Sequence, residues 1–136
     1  MNNCVLLHVE DDDAADFLFR FALDEAQIAA SVYRVLTAEN AIQFLRKGTP
    51  YERARTPRLI VIDLTLPMRD GLWLLGEIKK DPDLQSIPVV VVGTEPDSVF
   101  DPKVVALGAQ SYIEKSFNFE SFAQQVKAAC EFLDCS

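Results

Sequence analysis

Three groups of charged side chains in this 136-residue sequence are of the types that handle phosphoryl groups and hard cations. The first is the run Glu10-Asp11-Asp12-Asp13, which follows directly on an apolar stretch. The second is Asp63, at the end of Leu59-Ile60-Val61-Ile62, and the third is Lys115, just past Tyr112-Ile113-Glu114. If these stretches lie side by side, Glu10, Asp11 and Asp63 converge in one cleft. Such carboxylates do not share a site fully ionised without compensation: either some pKa values rise or a divalent cation neutralises them. An all-oxygen donor set with room for water suits Mg²⁺ better than Zn²⁺. Acid, metal and ammonium together fit phosphoryl transfer. Asp63 is then the nucleophile, the metal neutralises the phosphoryl oxygens and Lys115 pairs with one of them. Taken singly, an acidic cluster is more often a solvated rim than a site. The functional reading gains its weight from all of them falling at one sheet edge.

The elements needed to place them there are legible as alternating apolar runs and amphipathic stretches. Cys4 to Val9, Ser31 to Leu36, Leu59 to Ile62, Pro88 to Val92 and Gln110 to Ile113 read as strands. Between them, helical spacing covers 14–26, 38–47 and 71–80, with a short Pro-interrupted helix expected at 97–107 and a terminal helix from Phe119 to Leu133. In the first helix Phe17, Leu18 and Phe21 form the expected apolar face; in the last, Phe122, Val126, Ala129 and Leu133 do. Gly48 is the expected stop of the second helix. Strands that are nearly continuous in apolar residues imply a parallel sheet covered on both faces, hence a doubly wound α/β domain. Ligands bind such folds beyond the carboxyl ends of the strands. Those ends are where Glu10-Asp11, Asp63 and Lys115 stand.

Composition narrows the classes further. The formal net charge is −8, and the basic residues between Arg46 and Arg58 are scattered along a loop, so nucleic-acid binding is not expected. No apolar run approaches the roughly 20 residues of a membrane helix, and the N-terminus turns acidic too early for a secretory signal. The cysteines, Cys4, Cys130 and Cys135, lack metal-ligand spacing and read as reduced thiols of a cytoplasmic protein. The single His8 lies on the first strand and reads as a packed core or interface residue, and Trp73 as packing.

The sequence resembles the receiver domains of two-component response regulators along almost its whole length. The motifs are Val9-Glu10-Asp11, the run from Asp63 through Leu64, Thr65, Leu66, Pro67, Met68, Arg69 and Asp70 to Gly71, Ile87-Pro88, Gly108-Ala109, and Tyr112-Ile113-Glu114-Lys115. The stretch from Phe44 to Tyr51, and Asp81-Pro82-Asp83-Leu84, are similar to single-domain receivers paired with bacterial phytochrome kinases. The resemblance implies one receiver domain over 1–136, with a (βα)5 flavodoxin-like fold, a five-stranded parallel sheet and strand order 2-1-3-4-5. It implies Asp63 as phosphoacceptor and Lys115 as the phosphate-pairing lysine. Mg²⁺ is then held by Glu10, Asp11, Asp63 and the backbone carbonyl of Thr65, and Tyr112 is the aromatic switch residue. The implied partners are a sensor histidine kinase or phosphotransfer protein, with a homodimer through the last helix and fifth strand. No enzymatic turnover is expected. A haloacid-dehalogenase-type phosphatase would need Asp-x-Asp-x-Thr, and Asp63-Leu64-Thr65 lacks the second acid.

Two positions depart from the family pattern. Gly93 stands where the family has a Ser or Thr whose hydroxyl bonds a phosphoryl oxygen, an interaction worth roughly 1.5–3 kcal/mol. Thr94 follows it, but neighbours on a strand point to opposite faces. Ser116 replaces the usual proline after the lysine. These departures motivate an alternative: a degenerate receiver acting as a phosphorylation-independent interaction module. They also predict that Tyr112 sits inward without phosphate, because Gly93 leaves that space open.

Overall fold

Apolar runs without polar alternation can be buried only between two layers of helices, and they are. In the computed structural model, which describes residues 4–64, 66, 70–94, 102, 104–115, 118–131 and 133, they form one parallel sheet. Its strands are β1 (Val5–Val9), β2 (Ser31–Val35), β3 (Leu59–Asp63), β4 (Val89–Gly93) and β5 (Ser111–Glu114), in the order β2-β1-β3-β4-β5. Every residue of β3 and β4 is buried, whereas the edge strand β2 alternates exposed and half-buried positions before Val35. Register brings Val9 opposite Ile62 and Asp63 opposite Val92, so the carboxyl ends of β1, β3 and β4 lie level.

Alternate residues of each strand feed two cores. On one face Leu7, Ile60, Ile62 and Val91 pack with Phe44 of α2 (Ala38–Leu45) and Leu74 and Ile78 of α3 (Gly71–Lys80). On the other, Leu6, Val61, Val90 and Ile113 pack with Phe19 and Leu23 of α1 (Asp13–Glu25) and Phe122 and Val126 of α4 (Phe119–Cys130). Each of these four helices begins on a side-chain cap that satisfies a free backbone N–H. Asp12, Thr37, Asp70 and Asn118 accept from Ala15, Asn40, Trp73 and Ser121 respectively. Asp70 and Gly71 therefore have separate jobs. Asp70 caps α3, while Gly71 lets its first turn touch the end of β3: a Cβ there would lie 2.5 Å from the Asp63 carbonyl oxygen.

Several expectations change. Phe17, Leu18 and Phe21 do not face the core but are 65%, 46% and 43% exposed; the buried side of α1 is Asp16, Phe19, Ala22 and Leu23. The reason is non-local: buried Asp16 meets His8 of β1 at 2.8 Å, which turns the helix. The left-handed residue ending α2 is Lys47, at φ 57°, with Gly48 N–H donating to the Gln43 carbonyl. Of the expected helix at 97–107, the described part shows helical residues at 102 and 104–106, and Gly108 takes a positive φ before β5. Cys4 is not a reduced thiol but is disulfide-bonded, to a partner outside the described residues. Cys130 is a free, buried thiol whose pKa burial raises to about 11. Thr65, Ser116 and Cys135 lie outside the described residues.

A candidate acidic phosphoryl site

The topology makes Glu10 and Asp63 neighbours, since each directly follows or ends one of two paired strands. Both are almost fully buried, at 2% and 4% exposure, while Asp11 reaches solvent. One oxygen from each of Glu10, Asp11 and Asp63 can be chosen so that all lie within 4.8 Å of one another. That spacing and the all-oxygen donor set fit a small hard cation that keeps water in its shell. Lys115 arrives from β5 and must cross the end of β4 to reach them. Its backbone N–H is anchored on the Gly93 carbonyl at 2.7 Å. Its Nζ lies 3.1 Å from Asp63 Oδ2 and 3.4 Å from Glu10 Oε1.

Electrostatics follow from this crowding. Burial, and then the hydrogen bond and charge of Asp63, raise the Glu10 pKa to about 8. Burial alone would lower the Lys115 pKa, but the Asp63 and Glu10 carboxylates outweigh it and the net shift is upward. At neutral pH the Lys115 ammonium and a proton on Glu10 thus offset the acids. A divalent cation can take the proton's place.

Two positioning features escaped sequence reasoning. Arg34 of β2 donates from Nε to the Glu10 carbonyl at 2.8 Å and from Nη1 to Asp13 Oδ1 at 2.7 Å. It ties the acidic loop to the sheet edge, alongside the Glu10 N–H bond to the Val35 carbonyl. The only signal for it in the sequence is a cation on the strand that pairs with β1. The second feature is the series His8–Asp16–Arg20: Asp16 Oδ1 meets His8 Nδ1, and Arg20 Nε donates to Asp16 Oδ2, each at 2.8 Å. Burial would raise the Asp16 pKa, but these two hydrogen bonds outweigh it and hold the group below its usual value. Burial pushes the His8 pKa down, against the pull of Asp16.

Beside the acids, Tyr112 is turned inward and only 5% exposed. An ideal Cβ on Gly93 would stand 2.7 Å from Tyr112 Oη, 3.2 Å from its Cε1 and 2.8 Å from Leu64 Cδ1. The ring therefore fills the room that any side chain at position 93 would need. Thr94 is exposed and does not fill it.

Strand order, acids at the ends of β1 and β3, and a lysine after β5 together define a response regulator receiver domain. The chain belongs to that family: the model for the response regulator receiver domain matches residues 6–127. It is similar to the response regulator Rcp1 of Synechocystis, at 34% identity over 131 residues, covering 94% of this chain and 87% of that one. Among solved structures it resembles the phosphorylated cyanobacterial phytochrome response regulator RcpA, with 36% identity, a TM-score of 0.84 and coverage of 95% and 92%. The Mn²⁺-bound form of Rcp1 matches with 33% identity, a TM-score of 0.83 and coverage of 95% and 93%. The likeness to phytochrome-paired receivers noted in the sequence thus extends to the fold. No helix among the described residues is long and apolar enough to cross a membrane.

Proposed function

We propose that this chain is a single receiver domain that accepts a phosphoryl group on Asp63 from a histidine kinase or phosphotransfer protein in the cytoplasm. It then signals through protein contacts rather than by turnover. The observation that carries this is the placement of Lys115 Nζ 3.1 Å from the Asp63 carboxylate, with oxygens of Glu10 and Asp11 within 4.8 Å of an oxygen of Asp63. Asp63 attacks phosphorus; the bond to the donor nitrogen breaks as the new P–O bond forms. Lys115, held by its backbone bond to Gly93, is free to move its ammonium from Asp63 to a phosphoryl oxygen. Glu10, Asp11, Asp63 and the carbonyl of Thr65 would hold Mg²⁺, whose chemistry there is charge neutralisation on the phosphoryl oxygens. Incubation with Mg²⁺ and a small phosphodonor, read by intact mass, tests the reading. Wild type gains one labile phosphoryl group and Asp63→Asn gains none. Equal labelling of the two would overturn it.

A second reading is favoured by Gly93 and the inward Tyr112. The residue that should report phosphorylation already occupies its inner position, so its orientation is weakly coupled to Asp63. On this reading partners bind whether or not Asp63 carries phosphate. Affinity for a captured partner that is unchanged between wild type and Asp63→Asn, in the presence of phosphodonor, selects it. A homodimer through β5 and α4 cannot use Phe122, Val126 and Cys130, which the core buries. Among the described residues, the exposed Val105 and Leu107, which precede β5 in the chain, could supply apolar contact to it. A monomeric mass at micromolar concentration, with and without phosphodonor, would exclude it.

A further inference from the structure

The strand β2 is one edge of the sheet, with β1 as its neighbour on the inner side. Ser31 N–H donates to the Cys4 carbonyl and Glu10 N–H to the Val35 carbonyl, so the odd-numbered residues of β2 carry the ladder to β1. The N–H and C=O groups of Val32 and Arg34 therefore point outward, and no strand among the described residues receives them. Natural edges are guarded by proline, lysine or a bulge. This one carries none of these, and its single cation, Arg34, is folded back onto the Glu10 carbonyl and Asp13. Both faces beside the edge are apolar and open. On one, Phe17 and Phe21 of α1 stand over a groove of about 450 Å³ that reaches Ala30 and Val32. On the other, the Tyr33 ring leans on Phe44 at a centroid distance of 4.7 Å and remains 46% exposed. Leu36, just past the strand, is 48% exposed.

The occupant that fits this edge is the edge itself. Two copies of Ser31–Val35 laid antiparallel about Tyr33 set Val32 of each opposite Arg34 of the other. The outward groups of both copies then close four hydrogen bonds, and the two tyrosines meet across the two-fold axis as a close pair. Centring on Arg34 instead would set two guanidinium groups opposite each other, which repel. The axis is perpendicular to the sheet, so like faces stay together and Leu36 of one copy comes to Ala30 at the rim of the other's groove. Charge allows the approach: residues 27–38 include no Asp or Glu apart from none in β2 itself and Glu39 just beyond, so the net −8 is carried elsewhere. Area supports it as well. At roughly 200 Å² a ring, Phe17, Phe21 and Tyr33 leave about 300 Å² exposed per copy, over a third of the roughly 800 Å² that each partner gives to a standard interface. Leu36 and the edge backbone add to this. We propose that β2 is a dimerisation edge through which two copies of this chain join into one continuous sheet. The antiparallel join points the two acidic sites to opposite ends, so both stay open. The proposal does not rest on Asp63 as phosphoacceptor.

Sedimentation of the full chain, from low micromolar to submillimolar concentration, should show a reversible monomer–dimer equilibrium. Val32→Pro keeps every bond to β1, because the N–H it removes points outward, and proline is tolerated at such edge positions. It deletes two of the four bonds between copies and should weaken the dimer about tenfold or more. Leu36→Lys, at an exposed position, tests the side-chain contact without touching the strand and should weaken it severalfold. The register has its own reporter. Opposed residues that share no hydrogen bond have Cα atoms about 4.5 Å apart, within the span of a disulfide. Oxidation with copper phenanthroline should therefore convert Tyr33→Cys to a covalent dimer, which wild type and Ser31→Cys, set opposite Val35, do not form. A monomer at every concentration overturns the proposal. So does a dimer that Val32→Pro and Leu36→Lys leave unchanged, or one in which Tyr33→Cys cross-links no faster than Ser31→Cys; either places the contact on another surface, such as β5 and α4. Asp63→Asn should dimerise as wild type does, so failure of the phosphoacceptor reading would leave this result standing.

Discussion

Adding one methyl group at Gly93 should force Tyr112 out of its place. The backbone at Gly93 is not in the left-handed region, so Gly93→Ala meets no φ penalty and the cost is steric alone. The new Cβ would stand 2.7 Å from Tyr112 Oη and 2.8 Å from Leu64 Cδ1, both far closer than carbon atoms in contact approach. Overpacking of this kind costs about 1–3 kcal/mol. Alternatively the ring swings outward and forfeits its burial, about 1.5–3 kcal/mol for a large side chain. Relief of glycine's unfolded-state entropy returns about 0.5–1 kcal/mol. The net expectation is a destabilisation of about 1–2 kcal/mol, whichever route the chain takes. Urea unfolding of wild type, Gly93→Ala, Tyr112→Phe and the double variant measures it as a cycle. Tyr112→Phe deletes the nearest clashing atom, so the double variant should recover about 0.5–1.5 kcal/mol of coupling. A Gly93→Ala protein as stable as wild type, with zero coupling to position 112, would show that the ring does not occupy that space.

Three further outcomes follow from the acidic site. Asp11→Ala should remove the rise in unfolding temperature that Mg²⁺ gives wild type, since the folded state alone gathers the acids; an undiminished rise places the metal elsewhere. The Glu10 pKa, about 8 in the folded chain against an ordinary 4.5, means that the folded state keeps a proton which the unfolded chain has released. Without metal, this stabilisation is full below the ordinary value and is lost as pH rises through about 8, while Mg²⁺ affinity climbs over the same range because binding expels the proton. Calorimetric Mg²⁺ titrations at pH 6.5 and 8.5 check the second part, and equal affinities would refute it. Arg34→Met should cost about 1 kcal/mol, mostly from the unpaired Glu10 carbonyl rather than the exposed Asp13 pair, and should weaken Mg²⁺ binding severalfold. Unchanged Mg²⁺ affinity would reduce Arg34 to a purely structural role.

What the sequence makes legible is what depends on one stretch at a time. β3 and β4 declare themselves because both faces are buried, so Leu59-Ile60-Val61-Ile62 and Val89 to Val92 carry no polar interruption. Asp63, Glu10 and Lys115 were legible as strand-end residues, and the parallel order then brings them together without further information. The facing of α1 was not. Phe17 and Phe21 have helical spacing as good as that of Phe19 and Leu23, and the choice between them is made by Asp16 meeting His8 across the sheet. Arg34 likewise has no local signature, because its partners belong to the loop after another strand. Gly93 stood out as an absence. That Tyr112, rather than Thr94, would occupy the space required the packed structure.

The interlock of Gly93 with Tyr112 also bears on how this protein can change over generations. A single substitution that restores a hydroxyl at position 93 arrives in space already taken by the tyrosine ring and Leu64. It is disfavoured before its benefit to phosphate recognition is felt, unless position 112 or 64 has first become smaller or turned aside. Loss of a hydroxyl at this position, by contrast, takes only one step and meets no steric barrier, since it removes atoms rather than adding them. The pair therefore acts as a ratchet. Lineages carrying Gly93 and an inward Tyr112 are held to the weakly coupled form by packing, and any route back passes through an order of mutations rather than a single reversal.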